Sequence, residues 1–126
     1  MGYCMFLEEE SFHIDAADKK FALAAIKRID LRSFSWVNSS DVQRATSLEE
    51  ACEAWRWPVE THDGGNVIAI GFHGEKSGDE DQLFAALAPY VKAGSFIHMS
   101  GEDGSHWKWE FDGVTVRENT ARLVWD

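Results

Sequence analysis

Two spacings of apolar residues run along this chain, and each predicts a different kind of element. Apolar residues three and four positions apart indicate amphipathic helices. Three segments have this spacing: 15–30, 47–57 and 79–94. Alternation of apolar and polar residues indicates strands with one buried face. It is clearest where Trp107, Trp109 and Phe111 alternate with His106, Lys108 and Glu110.

Strands are expected between and after these helices. They are 3–14, 31–37, 59–62, 67–73, 95–100, 106–112 and 114–117, with a further edge strand at 121–125. The polar segment 38–47 is expected to form a loop. Short connections between successive elements favour antiparallel pairing. The sequence therefore predicts a single α+β domain over residues 1–126, with a mainly antiparallel sheet and about three helices packed on one face.

Short motifs predict where some elements begin and turn. Ser47 and Glu50 form a capping box at the start of the second helix, and Asp15 stands at the N-cap position of the first. The segments 63–66 (Asp-Gly-Gly-Asn) and 112–113 (Asp-Gly) predict hairpin turns, because glycine tolerates a positive φ.

The net charge limits the kinds of partner that this chain can bind. The chain has 22 Asp and Glu against 12 Lys and Arg, a formal net charge of −10, and a pI near 4.8. Direct nucleic-acid binding needs clustered Lys and Arg, so none is expected. The charge instead favours a basic protein as partner.

Composition also bounds the class and the location. Two cysteines, Cys4 and Cys52, are too few for a disulfide scaffold, and both are expected to be reduced. The first ten residues have no basic leader and end in three glutamates, which is unlike a signal peptide. No apolar run approaches the roughly 20 residues that span a bilayer. A cytoplasmic protein without membrane contact is expected.

No catalytic signature is present. In the segment 71–77, Glu75 stands where a phosphate-binding loop needs glycine before Lys76 and Ser77, so no nucleotide or other cofactor is expected. Cys52 falls on the apolar stripe of the second helix, as a packing residue does. The sequence thus predicts no catalytic residues and no enzyme.

The histidines leave one alternative open. His98 and His106 flank a predicted turn, and with Glu102 or Asp103 they would converge on a metal ion. Exposed polar positions on a sheet explain the same residues more simply. We therefore predict no metal site, and a small metal-dependent enzyme remains an alternative.

Two tryptophan patterns, 55–57 and 107–109, each place large rings around a cation. Core packing explains most of these rings. Trp57 is the candidate for a surface anchor in partner binding, because it stands at a helix end, beside Pro58.

Acidic clusters supply the other candidate contacts with a basic partner. The segment 74–81 concentrates acids around one lysine and is the first candidate, and the turn at 101–104 is the second. The residues are Glu75, Asp79, Glu80 and Asp81, followed by Glu102 and Asp103. Together they would present a field that steers association with a cationic surface.

The opening Met1-Gly2-Tyr3 and the closing Gly101-Glu102-Asp103-Gly104…Trp107-x-Trp109-x-Phe111-x-Gly113 resemble small acidic proteins carried by phages and prophages. The resemblance covers the ends of the chain and the order of the elements, and it brings no catalytic residues with it. It implies a mobile-element context, in which small acidic proteins such as anti-CRISPR proteins inhibit host defence.

We therefore expect a non-enzymatic, anti-CRISPR-like inhibitor that mimics nucleic acid. It would compete with DNA or RNA for the basic surface of an effector or nuclease. An immunity protein that neutralises a basic toxin is the alternative from the same class.

Overall fold

The chain folds into a four-stranded sheet backed by helices, with a two-stranded hairpin beside it. The structure is a computed structural model, and it describes residues 4–29, 39–73 and 80–120. Its strands are β1 Met5–Ser11, β2 Val59–Thr61, β3 Val67–Ile70, β4 Phe96–Gly101, β5 His106–Phe111 and β6 Val116–Thr120. Its helices are α1 Lys19–Lys27, α2 Ser39–Arg44, α3 Leu48–Ala54 and α4 Glu80–Leu87, with 3₁₀ turns at Ala16–Asp18 and Ala88–Tyr90. The predicted α+β class is confirmed.

The large sheet has the order β1-β4-β5-β6, and all its pairs are antiparallel. The last three described strands form an antiparallel meander. The first strand of the chain pairs with β4 and so lies at the opposite edge from β6. The second sheet is the hairpin of β2 and β3, and Ile14 joins it to β1 through a bridge to Val67.

A β-bulge lies in β1, between Leu7 and Glu9. The buried residues before it, Met5 and partly Leu7, have odd numbers, whereas Phe12 and Ile14 after it have even numbers. A strand with a strict period of two cannot bury both sets on one side, and one extra residue resolves the conflict. The extra residue also leaves both Glu8 and Glu9 exposed.

The two faces of the large sheet differ in burial. Ile97, Met99, Trp109 and Phe111 point into the core, and Phe84 of α4 packs on the last two rings. We call this side the covered face. Side chains at the alternate positions form what we call the open face: Phe6, Glu8, Glu9, Phe96, His98, Ser100, His106, Lys108 and Glu110. Of these, only Ser100 is fully buried, and the others are half-buried or exposed.

Trp57 lies in the core, contrary to its predicted role as a surface anchor. Its side chain is 0% exposed, and its ring centroid lies 4.5 Å from that of Phe72 and 5.0 Å from that of Phe84. The cause is the way α3 ends. Trp57 N–H donates to the Cys52 carbonyl and Arg56 N–H to that of Glu53, the pair of bonds that defines a Schellman motif.

Arg56 makes that turn with a φ of 69°, the left-handed conformation that usually falls to glycine. The turn sends the chain back over the helix end, so Trp55 and Trp57 are both buried. The sequence pattern Trp-Arg-Trp therefore encodes two core rings, not a surface anchor.

Three other local predictions need correction. Residues 39–44 form α2, where a loop was predicted. β6 begins at Val116, not at 114, because the Asp112 carboxylate accepts bonds from Val114 N–H and Thr115 N–H and closes a longer turn. Asp15 precedes a 3₁₀ turn and its side chain caps no N–H; Asn66 Oδ1 accepts from Ala16 N–H instead, at 2.8 Å.

The capping box at α3 is confirmed in its first half, since Ser47 Oγ accepts from Glu50 N–H at 3.2 Å. The Glu50 carboxylate reaches back to Thr46, not to Ser47. The predicted strands at 31–37 and 121–125 lie outside the described residues.

Candidate functional site

In the first predicted contact cluster, the two described residues, Glu80 and Asp81, differ in exposure. Glu75 and Asp79 lie outside the described residues. Glu80 is only 4% exposed, so its side chain belongs to the interior. Asp81 is exposed, and its Oδ1 accepts a 3.2 Å hydrogen bond from Trp109 Nε1–H. Asp81 therefore anchors a core ring from the surface.

A further acid lies near Asp81. The pKa of Glu118 is raised, chiefly by partial desolvation and also by the charge of Asp81. Glu118 lies opposite Trp109 across the β5–β6 pair. The meeting of these two carboxylates follows from strand register and was not visible in the sequence.

The second predicted pair, Glu102 and Asp103, lies exposed in the β4–β5 turn. Glu102 Oε1 accepts from Cys4 N–H at 3.1 Å, and Asp103 Oδ1 accepts from Ser105 N–H at 3.0 Å. Both carboxylates stabilise the turn and the start of the chain. Their charge still faces solvent.

Another group of carboxylates lies along β1. Glu8, Glu9 and Glu10 are consecutive, and Glu60 of β2 is close enough to Glu10 to perturb its ionisation. We call these four residues the β1 acidic strip. Glu8 Oε1 accepts from Ser100 Oγ at 2.5 Å, and Glu9 pairs in register with His98. The switch from odd to even apolar positions after Leu7 is the sequence signal that would have found this arrangement.

Glu10 differs from its two neighbours because the bulge turns it toward the covered face. Partial burial raises its pKa, and the charge of Glu60 raises it further. A 3.2 Å hydrogen bond from Ile70 N–H to Glu10 Oε2 acts in the opposite direction. Glu10 and Glu60 therefore form a like-charge pair at this end of the strip.

Close ion pairs between residues of the described ranges are few. Between residues of the three described ranges, one Lys–carboxylate pair lies within 4.0 Å, Lys19 Nζ to Glu49 Oε2 at 2.7 Å. A second contact, His13 Nε2 to Asp15 Oδ1 at 2.8 Å, is ionic only when the histidine is protonated. These two contacts involve Glu49 and Asp15, and neither involves a glutamate of the β1 acidic strip.

The two histidines singled out in the sequence do meet. His98 Nε2 and His106 Nδ1 are 3.0 Å apart, and the ring centroids are 5.2 Å apart. They line an open groove of about 440 Å³ on the open face, together with Glu9, Lys108, Glu110 and Asn119. The predicted partners Glu102 and Asp103 do not line this groove. Within the described ranges, no group of three His, Cys, Asp or Glu is arranged to hold a metal ion.

The thiols have separate environments. Cys52 is fully buried on α3, and burial raises the pKa of its thiol to about 12. A thiol held protonated in this way is a poor nucleophile. Cys52 is thus a core residue, as predicted, and Cys4 is a half-buried free cysteine.

Comparisons with protein-family models, with curated proteins and with solved structures gave no match. Among the helices of the described residues, none has the length and apolar character to cross a membrane. The candidate site therefore stands on its geometry alone.

Proposed function

We propose that this protein is a non-enzymatic, acidic binding protein that docks its β1 acidic strip onto a Lys- and Arg-rich surface of a partner protein. The observation that carries the proposal is the strip itself. Three consecutive glutamates stand on the edge strand β1, with Glu8 and Glu9 toward the open face and Glu10 toward Glu60, whose charge helps to raise the pKa of Glu10. Lys and Arg side chains of a partner would reduce the repulsion between Glu10 and Glu60 and would be attracted to all the glutamates of the strip.

An exposed aromatic ring supports the same surface. Phe6 is 53% exposed on the open face, opposite Ser100 in register, and Ser100 bonds to Glu8 of the strip. Interfaces commonly place an aromatic anchor inside a polar rim. Phe6 would be that anchor, and the glutamates would be the rim.

The partner class follows from charge. Surfaces dense in Lys and Arg commonly bind phosphates, so the proposed partner is a nucleic-acid-binding protein and the mode is competition with DNA or RNA. An inhibitor of phage or mobile-element type, anti-CRISPR-like and cytoplasmic, is the narrower form, and it rests on the sequence resemblance described above. An immunity protein for a basic nuclease would use the same strip.

The test compares two double variants of equal net charge. Glu9→Lys with Glu60→Lys reverses two exposed acids of the strip, and Glu53→Lys with Asp63→Lys reverses two exposed acids on α3 and in the β2–β3 turn. Proteins captured by the wild type from host lysate are identified, and the captured partner is then purified. Its association rate with each variant is measured across a salt series.

We expect a partner with a basic nucleic-acid-binding surface, and competition by its own nucleic acid. The strip variant should associate at least about tenfold more slowly than the control variant, with a flatter salt dependence. Equal rates for the two variants, or a partner without a basic surface, would overturn the proposal.

A further inference from the structure

We propose a second site, separate in chemistry from partner binding: His98 and His106 together bind a divalent transition-metal ion, with zinc as the representative. The two residues lie on neighbouring antiparallel strands. His98 is opposite Lys108 and His106 is opposite Ser100, so the histidines are diagonal neighbours on the open face. At such positions long side chains from two strands reach each other.

The nitrogen separation fits one shared ion. Two imidazole nitrogens on a tetrahedral zinc, each at 2.0–2.1 Å, lie about 3.3 Å from one another. His98 Nε2 and His106 Nδ1 are 3.0 Å apart. A movement of a few tenths of an ångström would therefore let both nitrogens bind one ion, while the proton now between them moves to the other nitrogen of the ring that carries it.

The surroundings favour a cation at this point. Glu9 lies opposite His98 in register and lines the same groove, and within the described chain its carboxylate has no hydrogen bond or ion pair. The nearby cation, Lys108, is drawn aside, because its Nζ lies 4.7 Å from the centroid of the Phe96 ring. The net charge of −10 adds a general attraction for cations.

The donors also define the class of metal. Imidazole suits zinc, copper and nickel, whereas calcium and magnesium prefer oxygen donors. Two nitrogens leave the remaining positions to water and to Glu9, which lines the same groove. The groove of about 440 Å³ has room for these waters. The site would thus be open and exchangeable, not a closed structural one.

The experiment titrates zinc chloride into chelator-treated protein and follows both heat and the imidazole nitrogen signals by NMR. The variants are His98→Gln and His106→Gln, and His73→Gln is the matched control, since His73 is an exposed histidine outside the groove. We expect one zinc ion per chain in the wild type and in the control. Each groove variant should bind at least about tenfold more weakly, because even the loss of an outer-shell partner costs a metal site about that factor.

A further variant tests how much Glu9 contributes to zinc binding. Glu9→Gln should weaken binding less than either histidine change. The NMR readout on the wild type decides the matter even where a variant folds poorly. The proposal fails if the His98 and His106 signals stay unchanged while zinc binds elsewhere, or if His73→Gln weakens binding as much as the groove variants.

Discussion

The covered and open faces of the large sheet are built from the same strands, yet they differ in burial and in the polarity of their side chains. Along β4, Ile97 and Met99 are fully buried, whereas His98 between them is half-buried and bonded to another histidine. Along β5, Trp109 and Phe111 join the aromatic core, whereas His106 and Glu110 face solvent. Because side chains alternate between the two faces, residues that stabilise the core lie next to polar residues that are free to bind.

That separation means that the two properties can be changed independently. Burying apolar area is the main favourable term in folding, and it resides on the covered face. The polar groups that can receive a partner or an ion reside on the open face. Neighbouring residues in one strand should then give opposite results when they are mutated.

The largest expected contrast lies between Met99 and His98. Met99→Ala should lower the free energy of unfolding by about 2–5 kcal/mol, because it opens a cavity in the core. His98→Ala should change it by no more than about 0.5 kcal/mol, as at other surface positions. Urea denaturation of both variants measures the two values. Similar losses would show that the open face is also part of the packed core.

A gain of stability is expected from Arg56→Gly. Arg56 has a φ of 69° at the end of α3, and a left-handed residue other than glycine costs about 1–2 kcal/mol. Removing that cost should raise the midpoint of thermal unfolding, while Trp55 and Trp57 stay buried. Arg56→Ala is the control, since it removes the same side-chain contacts but keeps the unfavourable φ. If both variants behave alike, backbone conformation is not the cause.

The smallest effect concerns Glu10, the acid that the bulge turns toward the covered face. Its pKa is raised in the folded state, so the ionised form opposes folding at neutral pH, and this penalty disappears as pH falls below about 4.3, where the group is protonated in both states. Glu10→Gln keeps an acceptor for Ile70 N–H without the charge. It should stabilise the protein by up to about 0.5 kcal/mol at pH 7.

The pH dependence provides the check on that prediction. The difference in unfolding free energy between wild type and Glu10→Gln should shrink toward zero on acidification. A gain that is the same at pH 4 and pH 7 would mean that charge is not responsible.

Much of the fold could be predicted from local patterns. The alternation of aromatic and polar residues over 106–111 correctly predicted β5. Ser47 correctly predicted the start of α3. Helix α2 could not be predicted from the polar composition of 39–44. A short helix needs little apolar periodicity when it is stabilised by packing on its neighbours. The hydrogen bond from Ala16 N–H to Asn66 Oδ1 could not be predicted from local sequence, because the two residues are fifty positions apart.

The candidate site was predicted only in part. The convergence of His98 and His106 followed from their places on either side of a turn. The burial of Glu80 and Trp57 did not, since it depends on how α4 and the end of α3 pack on the sheet. The charge pattern alone favoured 74–81, whereas the packing of the β2–β3 hairpin beside β1 brings Glu60 near Glu10.

The extra residue in β1 has one more consequence, which concerns self-association. A flat, apolar outer strand invites a second molecule to extend the sheet, and such growth leads to aggregates. In this protein the outer strand is interrupted by a bulge and carries three consecutive glutamates, while β6 at the far side exposes Arg117 and Glu118. Within the described residues, both edge strands thus resist pairing with a second copy of the chain, so we expect little aggregation at high concentration.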